Sequence, residues 1–351
     1  QYVATKGKEG TEPNFTSVWM PWAGWYVMRS GWDEDALYAH FEVGPFSAAH
    51  QHEDKLSIIL HAYGNTLLSE GGKYDYDASK QRQYTMSAPA HNVARVDGKD
   101  QLRGVRRSER QIAFSTEPMT NRWISNKRFD FGEGWYNEGF GDKKEESFHD
   151  GWYSGGKDVK LDSTVTQYRA LVFLKDNYWL LFDVFTPSDD ATHTYTTWFH
   201  FDTTDHETHA DAPCYIRSAE PDDANLAIIP LQGKGIGMKA IVGQEEPELQ
   251  GWIARAVKGN KGEKYECYPV ATAEFTRQAN GQCVEPYLLY PLRKGETLPV
   301  TEVKPVDDNT FKVVFADGRI ETVVYTIEVN RLKTLVITES GNGQEEKIKI
   351  L

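Results

Sequence analysis

Short runs rich in aromatic and β-branched residues, broken by glycine, proline and aspartate, repeat from Ser17 to the C-terminus, and such runs are strand signals. The first are SVWMPWAGWYVMRSG (17–31), ALYAHFEVG (36–44), KLSIILHAYGN (55–65), TLLSEGG (66–72), NVARVDG (92–98) and RQIAFSTE (110–117). The clearest sheet text runs from Ser163 to Phe185. There STVTQYRALVFL meets a polar Lys175-Asp176-Asn177 turn and then YWLLFDVF, which predicts a hairpin with a short loop and one buried face. HTYTTWFHF (193–201) alternates as another strand, and further runs such as NLAIIPL, VEPYLLYPL, TFKVVFA and ETVVYTIEV follow at close spacing. No stretch in the first 200 residues carries the period of a long helix. Strands this numerous must stack in layers to bury their apolar faces. The expected fold class is all-β, a large antiparallel two-layer β-sandwich. Residues 1–17 read as a polar lead-in and 18–300 as the sandwich. Residues 301–351 read as strands that complete it or form a small β-subdomain.

Composition sharpens this picture in two places. Aromatic residues make up 13% of the 351, with 10 Trp and 18 Tyr, a surplus that serves either strand propensity or stacking on sugars. The formal net charge of −13 opposes binding to nucleic acid or to an anionic membrane surface. Between Arg95 and Arg128, however, nine basic residues face four acidic ones, either a solvated strand face or a surface for an acidic polymer. Cys214, Cys267 and Cys283 form neither a CxxC pair nor a disulfide ladder, and whether the latter two meet across a hairpin is left open by the sequence. No apolar stretch approaches the ~20 residues that span a bilayer, and the opening QYVATKGKEGTEPN has no signal-peptide h-region.

The candidate chemistry lies in one stretch, Gly44 to Asn92. His50 and His52 stand two apart before an apolar run, so in an extended strand they would share a face. Glu70 follows Leu67-Leu68, and His91 sits in Pro-Ala-His-Asn. Histidines with a carboxylate suit a zinc-type site, and they also occur as hydrogen-bonded core or surface residues. Gly44, His50 and His52 match the opening of a cupin motif. That motif needs a glutamate four or five residues later, where this chain has Leu56 and Ser57.

The text from Ala23 to Asp77, with its His-x-His-x-Asp block, the later Ala-His-Asn around His91 and Val96-Asp97-Gly98, resembles the C-terminal β half of the heparinase II/III-like polysaccharide lyases. Weaker likeness extends through the 168–185 and 193–201 strands to Pro291. The resemblance implies an antiparallel sandwich that closes a cleft with an N-terminal α/α toroid. It also implies a zinc held by His52, Glu70 and His91. The family has aspartate where Glu70 stands and proline where Gly71 stands. By the same resemblance His50 is the base or charge-neutralising group, and Tyr76 contributes acid/base chemistry or sugar contact. Tyr74 and Arg82 are the further substrate-binding candidates, Arg82 through a sugar carboxylate.

Such lyases act by β-elimination on uronic-acid polymers, a glycosaminoglycan or alginate-like chain. The residues before Trp19 are too few to encode the toroid, so the expectation is the β half of a longer lyase, inactive without that domain and exported to the periplasm or secreted. Two alternatives stand beside it. One is a non-catalytic carbohydrate-binding or interface module that keeps the metal. The other is a zinc hydrolase, for which no general base adjoins the proposed ligands.

Overall fold

The computed structural model describes residues 1–351 except 3, 6, 47–49, 107–116, 143–147, 150–151, 154–159, 176, 258–263 and 342. The expected strand at 110–117 therefore lies almost wholly outside the described residues. Elsewhere the regular structure is almost entirely antiparallel β.

An eight-stranded sheet forms the middle of the molecule, and its centre is the expected hairpin, Val165–Leu174 paired with Tyr178–Pro187. Both faces of that hairpin are buried, not one. Leu171, Phe173, Trp179 and Leu181 pack on one side, while Ala170, Val172, Leu180 and Phe182 pack on the other. The first side meets a five-stranded sheet, running from Val18–Met20 to Asn65–Leu68, and a four-stranded sheet that includes Thr192–His200 and Ala271–Asn280. The second side is covered by a five-stranded meander, Val300–Asp307 through Gln344–Lys349, which contributes Phe311, Val313, Tyr325 and Leu335. The all-β antiparallel sandwich is as expected, with the meander adding a layer. That added layer explains why YWLLFDVF reads as a continuous apolar run rather than an alternation.

Through this core runs a polar pillar. Arg169 and Asp183, both fully buried, form a two-pronged ion pair at 2.7 Å on each prong. The remaining guanidinium nitrogen of Arg169 donates to the carbonyls of Leu56 (2.7 Å) and Asn92 (2.6 Å). Asn92 in turn donates to the carbonyls of Ile58 and Ser69 and accepts from the His200 backbone N–H. Buried polar groups are costly unless paired. Here the pairing ties the central sheet to the loops on either side of the histidine stretch.

Candidate active site and metal centre

The segment from His50 to Asp54 is irregular rather than extended, so the two-residue rule does not carry across it. His50 has a left-handed backbone (φ 58°), a conformation uncommon for non-glycine residues. The two histidines consequently part company. His50 is exposed and its Nδ1 meets Tyr76 Oη at 2.7 Å, with the donor set by the imidazole tautomer. His52 turns inward to His91, with their ring centres 5.3 Å apart.

Arg103 fixes this turn. Its buried guanidinium donates to the His52 carbonyl and to Asp54 Oδ1, each at 2.8 Å. Glu53, also buried, accepts from the backbone N–H groups of Arg103 and Gly104 at 2.7 Å. The loop is thus held by a cation and two carboxylates whose roles were not visible in the sequence.

His52, Asp54 and His91 bring their donor atoms within 4.8 Å of one another. Glu70, the carboxylate expected from the sequence as a ligand, instead sits on Nδ1 of His91 and also accepts from Ser57 Oγ. The acid inside the three-residue group is Asp54. Its signal was present, as the last residue of His-x-His-x-Asp. Glycine makes the Glu70 contact possible: a Cβ on Gly71 would lie 2.6 Å from Ala90 Cβ and 2.7 Å from its carbonyl oxygen, so the chain lies flat against the residue before His91.

The donor set passes a physical test for a cation. His91 Nε2 is buried with no hydrogen-bond partner among the described residues. Burial, with the cations around it, pushes the His52 pKa down to about 4, leaving that imidazole neutral with a lone pair to give. Burial also opposes charge on His91, but Glu70 outweighs it and raises the pKa, so this spot favours positive charge. Two imidazoles and a carboxylate suit a zinc-type ion, and a carboxylate on the far nitrogen of a ligating histidine fixes its orientation.

Around the exposed pair, Tyr76 is 50% exposed. The Arg82 guanidinium lies 4.6 Å from its ring centre and is itself 1% exposed, so it supports the tyrosine from below. Arg82 belongs to a short helix, Lys80–Thr85, capped by the Ser79 hydroxyl on the Arg82 N–H. Tyr74 lies apart from Tyr76, lining a cavity of about 300 Å³ with Tyr84, Trp252 and Cys267. The basic stretch is largely committed to internal partners. Arg95 pairs with Asp100 and Glu248, Lys99 with Asp162, Arg103 with Glu53 and Asp54, Arg122 with Glu133, and Arg128 with Glu346. The side chains of Arg106, Arg107 and Arg110 lie outside the described residues. All three cysteines are free, so Cys267 and Cys283 are not joined.

A layered antiparallel sandwich presenting a histidine–tyrosine pair beside a partly buried His/Asp/His group defines a candidate catalytic β domain. Its sequence matches the Heparinase II/III-like, C-terminal family over residues 12–268, and the chain belongs to that family. Among curated proteins it is 25% identical to the heparin-sulfate lyase of Pedobacter heparinus over 134 residues, which are 37% of this chain and 18% of that protein. It is 29% identical to the heparin-sulfate lyase of Bacteroides stercoris over 104 residues, 28% of this chain and 16% of that one. The crystal structure of heparan sulfate lyase HepC from Pedobacter heparinus superposes with a TM-score of 0.64 at 17% identity, covering 99% of this chain and 44% of that one. A heparinase III gene product gives 0.66 at 16% identity with the same coverage. These likenesses establish a shared fold. The chain spans less than half the length of the solved relatives.

Proposed function

We propose that this chain forms the β half of a polysaccharide lyase that cleaves a uronic-acid polymer, heparan sulfate or a related acidic glycan, by β-elimination. The observation that carries the reading is the contact between His50 Nδ1 and Tyr76 Oη at 2.7 Å on an exposed surface. Elimination needs one group to take the C5 proton and one to protonate the departing O4. The C5–H electron pair becomes the C4=C5 double bond as the C4–O bond breaks. A hydrogen-bonded imidazole and phenol can hold and return those two protons. A cation must offset charge that develops on the uronate carboxylate.

His52, Asp54 and His91 would hold a zinc-type ion, with Glu70 fixing the His91 ring. Such an ion, when bound, supplies a fixed positive charge that rigidifies the wall carrying His50. An α/α toroid opposite this wall, as the resemblance implies, supplies the remaining groups of the cleft. Export to the periplasm or beyond fits a polymeric substrate. Among the described residues no helix is long and apolar enough to cross a membrane.

The test is ultraviolet absorbance of the unsaturated uronate released from heparan sulfate by the full-length enzyme. Product formation should fall at least a hundredfold in both His50→Ala and Tyr76→Phe, the range expected for loss of a general acid or base. Circular dichroism should be unchanged. Undiminished turnover in both variants overturns the assignment, and polymer binding without product from wild type supports a non-catalytic carbohydrate module instead.

A further inference from the structure

A polyanionic substrate is met by cations that the fold leaves without a carboxylate. Arg95, Lys99, Arg103, Arg122 and Arg128 each hold an acidic partner. Arg29 is placed differently. Among the described residues its guanidinium pairs with no carboxylate; it makes one long hydrogen bond, 3.5 Å, to the Thr16 carbonyl. Its central carbon lies 4.5 Å from the Trp32 ring centre and 5.0 Å from that of Tyr38. From these positions we infer that Arg29, flanked by Trp32 and Tyr38, binds an oxyanion of the polysaccharide at a subsite beyond the reacting sugar. This inference rests on the lyase reading above.

Strand alternation sets where this group faces. In the five-stranded sheet Tyr26, Met28, Ala39, Phe41 and Ile58 enter the core, so Trp25, Arg29, Tyr38, Glu42 and Ser57 fall on the opposite face. Arg29 stands across from Tyr38 and Trp25 across from Glu42. The Glu42 N–H donates to the Ser57 carbonyl at 3.0 Å, and Ser57 Oγ donates to Glu70, which also holds His91. One face therefore leads from Arg29 to the candidate metal group. Tyr38 and Glu42 are four residues apart, about 13 Å of extended strand, a gap that a polymer bridges and a single sugar ring does not.

The cation is held ready. The Trp32 indole N–H donates to the Phe15 carbonyl at 2.8 Å, and its ring meets that of Phe15 edge-on. The Arg29 backbone N–H donates to Ser17 Oγ at 2.9 Å. Asp35 is turned to Arg293, and Asp130 to Ser17, Ser125 and Lys175. Burial disfavours the charge on Arg29, and an incoming oxyanion would offset that cost. A guanidinium offers a planar fork of donors that matches sulfate and carboxylate alike and stacks on aromatic faces.

The experiment compares wild type, Arg29→Gln and Arg29→Lys in the full-length protein. Salt elution from immobilised heparin is measured, with KM and kcat on heparan sulfate and on its desulfated counterpart. Arg29→Gln should elute at lower salt and raise KM roughly fivefold, the upper end for an exposed ion pair, with kcat within twofold. Arg29→Lys, which keeps the charge, should recover most of both. A KM penalty on both polymers assigns a carboxylate, and one confined to the sulfated polymer assigns a sulfate. Unchanged elution and KM overturn the inference. So does an equal loss in both variants, which marks Arg29 as a support for its two rings. If wild type yields no unsaturated product the lyase reading fails, and the elution profile still decides for or against Arg29.

Discussion

At the scale of single residues, two histidines separated by one position face different ways where the backbone leaves the extended form, with His50 at φ 58°. His50 turns out to Tyr76, and His52 turns in to His91 and Asp54. Metal content separates the members of the His52–Asp54–His91 group. Elemental analysis should find about one zinc per chain, as expected for a closed His/carboxylate site, and it should be lost in His52→Ala and His91→Ala. Glu70→Gln should retain metal with affinity weakened roughly 10–100-fold, the cost of removing the partner of a ligating histidine. If Glu70→Gln empties the site while Asp54→Asn leaves it full, Glu70 is the ligand that the sequence suggested. Away from this group, His193 lies between Asp97 and Asp189, at 2.7 and 2.9 Å. Burial opposes its charge, but the two carboxylates prevail and raise its pKa above the ordinary 6.5. A raised imidazole pKa contributes stability that is fully present below about pH 6.5 and lost as pH climbs through the folded-state value. The difference in melting temperature between wild type and His193→Gln should therefore be largest near about pH 6 and shrink toward about pH 9. A difference that grows with pH would contradict this.

At the scale of elements, what was legible followed from side-chain pattern. The strands at 165–174, 178–187 and 192–200, and the meander after Val300, carry apolar or β-branched text, and they form as read. Two long strands were missed for physical reasons. Phe129–Tyr136 contains Gly132 and Gly134, which interrupt its apolar pattern. In the fold each gives its space to a side chain from the facing sheet: a Cβ on Gly132 would meet the Tyr26 ring at 2.8 Å, and one on Gly134 would meet Val43 at 2.5 Å. Ala271–Asn280 carries Glu274, Arg277 and Gln278, and its fully buried hydrophobic residues, Ala271, Ala273 and Phe275, lie in its first half. The Arg169–Asp183 pillar was equally invisible, since pairing across strands depends on register. Arg169→Met should destabilise the fold by about 3–5 kcal/mol, because it leaves a buried carboxylate uncompensated. Arg169→Met with Asp183→Leu should recover much of that loss in chemical denaturation. Gly71→Ala should cost ~1–3 kcal/mol through overpacking against Ala90 and should weaken metal retention by moving Glu70.

At the scale of the whole molecule, the resemblance to the lyase family was carried by the histidine block, while the basic stretch from Arg95 left open a solvated strand face or an acidic-polymer surface; of its described residues, Arg95, Lys99, Arg103, Arg122 and Arg128 stand in ion pairs within the chain. Charge count alone does not reveal how the cations are paired, because some pairings span distant parts of the chain: Arg95 reaches Glu248, and Arg331 reaches Glu133. If this β domain serves an elimination, as proposed, its products carry the mark. Mass spectrometry of heparan sulfate fragments released by the full-length enzyme in heavy-oxygen water tests it most directly. Elimination predicts a new non-reducing end lighter by one water than a hydrolysis product, with no heavy oxygen incorporated. A saturated product carrying heavy oxygen would rule out elimination and make the protein a hydrolase.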